Sequence, residues 1–174
     1  MAPILYLLVF IAIILLLTMA VAGKLSAPYV PTKKDDLKRI VKLAGLTSKM
    51  TFCDLGCGDG RVVAYVAKFT RAEVIGIELA IPLYCFAKIR QQLPKKRNLK
   101  IVYGNFLNMD LSRADIIYIF GFPKTLQQKI SAKIKRNVKS GAKIISYFFK
   151  IPDLELIVED QPRKNQAPIY VYKI

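Results

Sequence analysis

The sequence contains no histidine, only three cysteines and few acids among its 174 residues. Without an imidazole the chain has no histidine-activated nucleophile, no histidine metal ligand and no histidine proton shuttle. Cys53, Cys57 and Cys85 are an odd set, and a CxxxC pair without further Cys or any His makes a poor zinc site. No metal is expected, and a disulfide in the tight turn between Cys53 and Cys57 is disfavoured; reduced, small, buried thiols are the expectation. Acids are outnumbered by bases, 12 against 28, for a formal net charge of +16. That surplus favours anionic surroundings, whether nucleic acid, a lipid surface or acidic protein, and does not choose among them. Internal repeats and low-complexity segments are also lacking, and the length fits one domain of ordinary size.

Charge is missing altogether from the N-terminus. Ile4 to Ala22 carries none, and Thr18 is its one clearly polar residue. At about 1.5 Å per residue such a run crosses roughly 30 Å of hydrocarbon. The small residues before Gly23 resemble a signal-peptide cleavage site, yet the leading Met-Ala-Pro has no Lys or Arg and the run exceeds an ordinary signal core. The expectation is a transmembrane anchor over 1–23. All Lys and Arg lie beyond it, beginning at Lys24, which favours a C-terminal side facing the cytoplasm or an equivalent compartment. Anionic headgroups then account for part of the basic surface.

The anchor leads into a connector over 24–31 containing Pro28 and Pro31, then a domain over 32–174. Thr32 is placed to cap a first helix, with Asp35 three residues on. Leu37, Ile40, Val41 and Ala44 recur at helical spacing, and Gly45 is a stop. Thr51–Leu55 and Glu73–Leu79 read as strands, each succeeded by a helix, over Arg61–Phe69 and Pro82–Leu93. Lys100–Tyr103 and Asp115–Phe120 are further strands, Thr125–Val138 an amphipathic helix, and Ala142–Phe149, Leu154–Val158 and Ile169–Ile174 the closing strands. The alternation predicts an α/β fold with a doubly wound, mostly parallel, Rossmann-like sheet. With no helical pattern between them, the last two strands predict an antiparallel C-terminal edge.

Asp54 to Gly60, DLGCGDG, falls where the first strand ends and a helix begins. In a doubly wound sheet that is where ligands bind. A dinucleotide turn has GxGxxG spacing and cradles a pyrophosphate; here the spacing is GxGxG, and Asp54 and Asp59 would repel one. Two acids suit a ligand bearing a positive amine and sulfonium. Glu78, ending the second strand, is placed to accept hydrogen bonds from ribose hydroxyls.

With Asp54, Gly56, Gly58 and Gly60 matching DxGxGxG, the sequence resembles the class I methyltransferases. The resemblance implies S-adenosyl-L-methionine as cofactor, with Asp54 near its amine, Gly56 and Gly58 beside its methionine part and Glu78 on the ribose. It puts Asn105 and Phe106 around adenine, Asn105 standing where an Asp is more usual; Phe106 reads equally well as a core aromatic. After the fourth strand the chain has IFGFPKT and lacks the polar-Pro-Pro-aromatic stretch of the nucleic-acid amino-methyltransferases, which argues against base amines and nucleic acid as acceptors.

Together with PYVPT before the first helix, GIEL and FGFP resemble the protein-lysine methyltransferases that include the archaeal broad-specificity enzymes and the membrane-anchored mitochondrial enzymes. The latter act on the c-ring protein of ATP synthase and on the adenine nucleotide carrier. That likeness implies a lid over the cofactor from Tyr29, Val30, Pro31 and Thr32, and a lysine channel from Tyr29, Phe120, Phe122 and Pro123. Ala80, where an Asp or Asn is common, offers no polar side chain. The expected function is protein-lysine N-methylation at or near a membrane. Methylation of a lipid or quinone, and a non-catalytic basic membrane adaptor, are the two other readings.

Overall fold

The apolar N-terminal run forms α1 (Ala2–Leu25). Among the described residues, the segment Ala2–Val21 is the one helical stretch long and apolar enough to cross a membrane. In the computed structural model, which describes residues 2–25, 30–92, 98–120 and 124–174, the remainder is a layered α/β unit. Its elements are α2 (Lys34–Ala44), β1 (Thr51–Leu55), α3 (Arg61–Phe69), β2 (Glu73–Glu78), α4 (Ile81–Gln92) and β3 (Leu99–Tyr103). A short 3-10 turn, Phe106–Asn108, leads to β4 (Ile116–Phe120), α5 (Lys124–Asn137), β5 (Lys143–Tyr147), β6 (Glu155–Asp160) and β7 (Ile169–Lys173).

The strands form one sheet in the order β3-β2-β1-β4-β5-β7-β6. The first five pair in parallel, and β7 pairs antiparallel with both β5 and β6. The expected antiparallel edge is present, with one refinement: β7 lies inside the sheet and β6 forms the rim. Alternation along each strand divides the core between the two faces. Phe52, Val74, Ile116 and Ile145 pack under α2 and α3 on one side. Cys53, Ile77, Ile117 and Ile144 meet the α5 stripe of Ile130, Ile134 and Val138 on the other.

Two local expectations are corrected. Lys33, not Thr32, occupies the N-cap of α2, and no side chain caps it; the Thr32 hydroxyl is instead buried against Tyr118, 3.1 Å from its phenol oxygen. A long-range partner has outcompeted the local cap. Cys53 and Cys57 are buried as expected, but Cys85 is exposed on α4. Gly45 closes α2 in the left-handed conformation its sequence position required.

Candidate cofactor and acceptor site

The turn after β1 is folded back onto β2 by its own backbone. The amides of Gly56 and Cys57 both donate to the carbonyl of Ile77, each at 2.9 Å. Gly56 has φ +85 and Gly60 φ +76, a region costly for residues with a Cβ. Their roles differ. A Cβ at Gly56 would meet nothing within 4 Å, so that side of the turn is open to a ligand. A Cβ at Gly60 would lie 3.0 Å from Cβ of Ala87, so Gly60 lets α3 approach α4.

Glu78 clamps the turn. Its Oε2 accepts from the amide of Gly58 at 2.8 Å, and its Oε1 from the amides of Leu79 and Ala80 at 2.9 and 2.8 Å. A carboxylate has about four acceptor positions, so Glu78 holds three amides and retains capacity for one further donor. The Ala80 backbone thus takes part although its side chain cannot.

Asp54 is the electrostatic centre. It is 2% exposed, and its buried Oδ2 has no hydrogen-bond partner among the described residues. Burial, followed by the charges of Glu78 and Asp59, pushes its carboxyl well above the ordinary range. A buried acid with an unpartnered acceptor beside a second acid is poised for a cationic donor.

Asp59 does not share that role, contrary to the expectation from sequence. Its carboxylate is bound by Arg61 at 3.0 Å and by Arg90 at 2.8 Å. Burial would raise its pKa, but the Arg61 hydrogen bonds and the Arg90 charge outweigh it and hold it below the usual value. Its charge is spent on fastening the turn to α3 and α4.

Asn105 uses its amide oxygen to cap the 3-10 turn, accepting from the Leu107 amide at 2.9 Å. Phe106 is buried in the core on the α5 side of the sheet. Both lie just beyond β3, whose end is tied to β2 by the Gly104 amide on the carbonyl of Glu78 at 2.9 Å. Of the lid, Pro31 is exposed and Thr32 is anchored to Tyr118; Tyr29 lies outside the described residues. Phe122 and Pro123 also lie outside them, while Phe120 is half-buried at the end of β4.

Three tyrosine and acid positions give no sign of their roles in the sequence motifs. Tyr118, opposite Asp54 in the β1–β4 register, carries the hydroxyl that receives Thr32. Tyr147, at the end of β5, donates to the buried Asp36 at 2.6 Å. Asp36 is held in turn by Arg39 at 2.7 Å, and Arg39 also reaches Asp160, at 2.7 Å. A phenol in the apolar run IIYIF, needing a partner once buried, was the available signal for Tyr118. Asp36, by contrast, looks like any acid in a first helical turn.

S-adenosylmethionine, the expected cofactor, presents an amine, a sulfonium and ribose hydroxyls. Asp54's unpartnered buried oxygen, Glu78's spare acceptor and the open face of Gly56 fit those groups.

A family model described as the ANTKMT methyltransferase domain matches residues 54–157. A protein-lysine N-methyltransferase of Saccharolobus islandicus (strain REY15A) is 29% identical over 155 residues, covering 83% of this chain and 92% of that protein. A Xenopus laevis lysine N-methyltransferase of the ATP synthase c-ring protein is 26% identical over 131 residues, covering 75% of this chain and 57% of that protein. The chain thus spans little more than half the length of that relative. Among solved structures, an RNA methyltransferase from Salinibacter ruber in complex with S-adenosyl-L-homocysteine superposes with a TM-score of 0.77 at 24% identity, covering 83% of this chain and 94% of that one. At that identity the likeness establishes the fold.

Proposed function

Since this chain belongs to the ANTKMT methyltransferase domain family, we propose that it is an S-adenosylmethionine-dependent protein-lysine N-methyltransferase working at a membrane. The observation that carries the cofactor assignment is the unpartnered, buried oxygen of Asp54 next to Glu78. Lysine as acceptor is supported by the protein-lysine N-methyltransferase similar over nearly its whole length, and by the aromatic rim at the ends of β4 and β5.

When bound, the cofactor supplies a methyl group on a positively charged sulfur, and transfer to a neutral lysine amine leaves S-adenosylhomocysteine and an ammonium that releases its extra proton to water. Asp54 receives the cofactor's ammonium. Glu78 receives its ribose while keeping the turn closed. Asn105 and Phe106 bound the adenine end. Thr32, held by Tyr118, fixes the end of a lid formed with Tyr29 and Pro31. Phe120, Phe122 and Pro123 form the lysine channel, whose rings pack the aliphatic stem and favour the neutral amine by excluding water. No strong general base is required, because orientation and a dry site do the work; the absence of histidine is compatible with this chemistry.

Residues 1–23 serve as a single-pass anchor, 24–31 as connector and lid, and 32–174 as the catalytic domain, facing the cytoplasm or an equivalent cofactor-containing compartment. A protein with a lysine close to the headgroups suits an enzyme of net charge +16. The test is to incubate the full chain in nanodiscs with methyl-labelled cofactor and membrane fractions, then map the label. Label on lysine supports the proposal; label confined to lipid, quinone or RNA overturns it.

A further inference from the structure

The strand β5 ends at Tyr147, and the next residue takes a conformation that bulky side chains avoid. Phe148 has φ +82. Asp153 is the other described non-glycine residue at positive φ, but aspartate tolerates that region and phenylalanine does not. Burial does not explain the strain, because Phe148 is 48% exposed. Its backbone is held in place from several sides. The Phe148 amide donates to the carbonyl of Pro168 at 2.9 Å. The buried Ser146 hydroxyl donates to the carbonyl of Phe149 at 2.5 Å, and the Ile151 amide to the Tyr172 phenol at 2.8 Å. An over-determined strained residue with an exposed ring points to function.

The ring also has defined company. Its centroid lies 6.3 Å from that of Phe120 and 5.7 Å from that of Tyr147, edge-on to both, while Phe120 and Tyr147 are 5.4 Å apart. Tyr147 cannot swing away, since its hydroxyl is tied to the buried Asp36. Three rings from two adjacent strands therefore form one aromatic wall at the carboxyl end of the sheet, where β4 and β5 run beside the Asp54 strand.

We propose that Phe148 is a specificity-determining residue for the acceptor. Its left-handed backbone aims the ring across the mouth of the site, and with Phe120 and Tyr147 it forms the surface on which the four-carbon stem of a lysine lies. The inference rests on the lysine-methyltransferase reading above and deepens it. A conformation with a right-handed or extended backbone at 148 would turn the ring away and leave the stem in water.

Two variants separate the ring from the strain. Phe148→Ala removes the ring and keeps a Cβ at positive φ; Phe148→Gly removes both. The full chain in nanodiscs is titrated calorimetrically with S-adenosylhomocysteine and with an analogue whose sulfur is replaced by nitrogen carrying a four-carbon primary-amine arm. In the wild type the arm is expected to tighten binding about tenfold or more, as partial burial of four methylenes implies. Both variants should lose that gain while binding S-adenosylhomocysteine within about twofold of wild type. Phe148→Gly should melt about 2–4 °C above Phe148→Ala, the mark of relieved backbone strain. If the arm helps the wild type and both variants equally, Phe148 has no such role although the lysine channel stands. An arm that adds nothing to the wild type, with S-adenosylhomocysteine still bound, removes the lysine channel and this inference together. Failure to bind S-adenosylhomocysteine removes the cofactor assignment on which both depend.

Discussion

Replacing Asp54 by asparagine separates two contributions that pull in opposite directions. In the ligand-free protein Asp54 is buried beside Glu78 and has an oxygen with no partner among the described residues. A buried unsatisfied polar group costs about 1–3 kcal/mol, and more when charged. Asparagine keeps the shape and removes the charge, so the ligand-free Asp54→Asn protein should be more stable at neutral pH. A gain of about 1 kcal/mol would raise Tm by roughly 2–4 °C in a chain of this size. The pH dependence is set by the direction of the shift. Burial and the neighbouring acids raise the folded-state pKa of Asp54 above its unfolded value of 3.8. The folded state therefore holds this proton more tightly, and its contribution to stability is present at low pH and lost as pH rises through the raised pKa. Asp54→Asn should flatten that decline. Binding runs the other way, because a hydrogen bond to a charged partner contributes about 1.5–3 kcal/mol, or roughly 10- to 150-fold in Kd for S-adenosylmethionine. The full chain in nanodiscs would be examined by thermal melts between pH 5 and 8 and by calorimetry in buffers of different ionisation enthalpy, which counts the proton that wild-type Asp54 releases as the cofactor's ammonium arrives. A variant that melts lower than wild type at every pH and still binds S-adenosylmethionine within twofold would refute the account of Asp54 as a strained, cation-seeking carboxylate.

Glu78→Gln leaves one of three backbone amides facing a donor instead of an acceptor; we expect a loss of about 1–3 kcal/mol in stability and weaker cofactor binding, and unchanged melting would contradict the clamp. Tyr118→Phe deletes the partner of Thr32 and should cost about 1 kcal/mol, accompanied by faster amide exchange around residues 30–34, read by mass spectrometry. Arg39→Ala strands the buried Asp36 and should destabilise by about 3–5 kcal/mol, far more than loss of an exposed ion pair; a shift under 1 kcal/mol in chemical denaturation would show that Asp36 is solvated.

The order of elements was legible because each rests on a local pattern. Val62, Val63 and Val66 are buried as their helical spacing implied, and β1 to β5 run parallel because helices intervene. Strand neighbours at the C-terminal side were less accessible, since pairing is a long-range choice. Burial offered a partial clue: IYVYK is buried at four successive positions, as an interior strand should be, while ELIVED is exposed along nearly its whole length. At the site, DLGCGDG and Glu78 were found by residue type and spacing. What a sequence cannot give is the direction in which a charge is used. Asp54 and Asp59 look alike in the string, yet Arg90, 31 positions beyond Asp59, neutralises one and leaves the other for a ligand. Likewise Phe148 and Phe149 read as the end of a strand, whereas the strand stops at Tyr147 and a left-handed residue redirects the chain.

The place of β7 between β5 and β6 bears on how the protein is made. The segment forming β6 leaves the ribosome before β7 does, but β6 has no strand to join until β7 has docked on β5. During synthesis, the apolar stretch Leu156 to Val158 and the bare edge of β5 must both wait in solution. Close to a bilayer already occupied by α1, that interval is when the nascent chain is most prone to pair with the wrong strand. Assembly order is thus the reverse of synthesis order on this side of the sheet, and a nascent chain interrupted within β7 would lack two strands, not one.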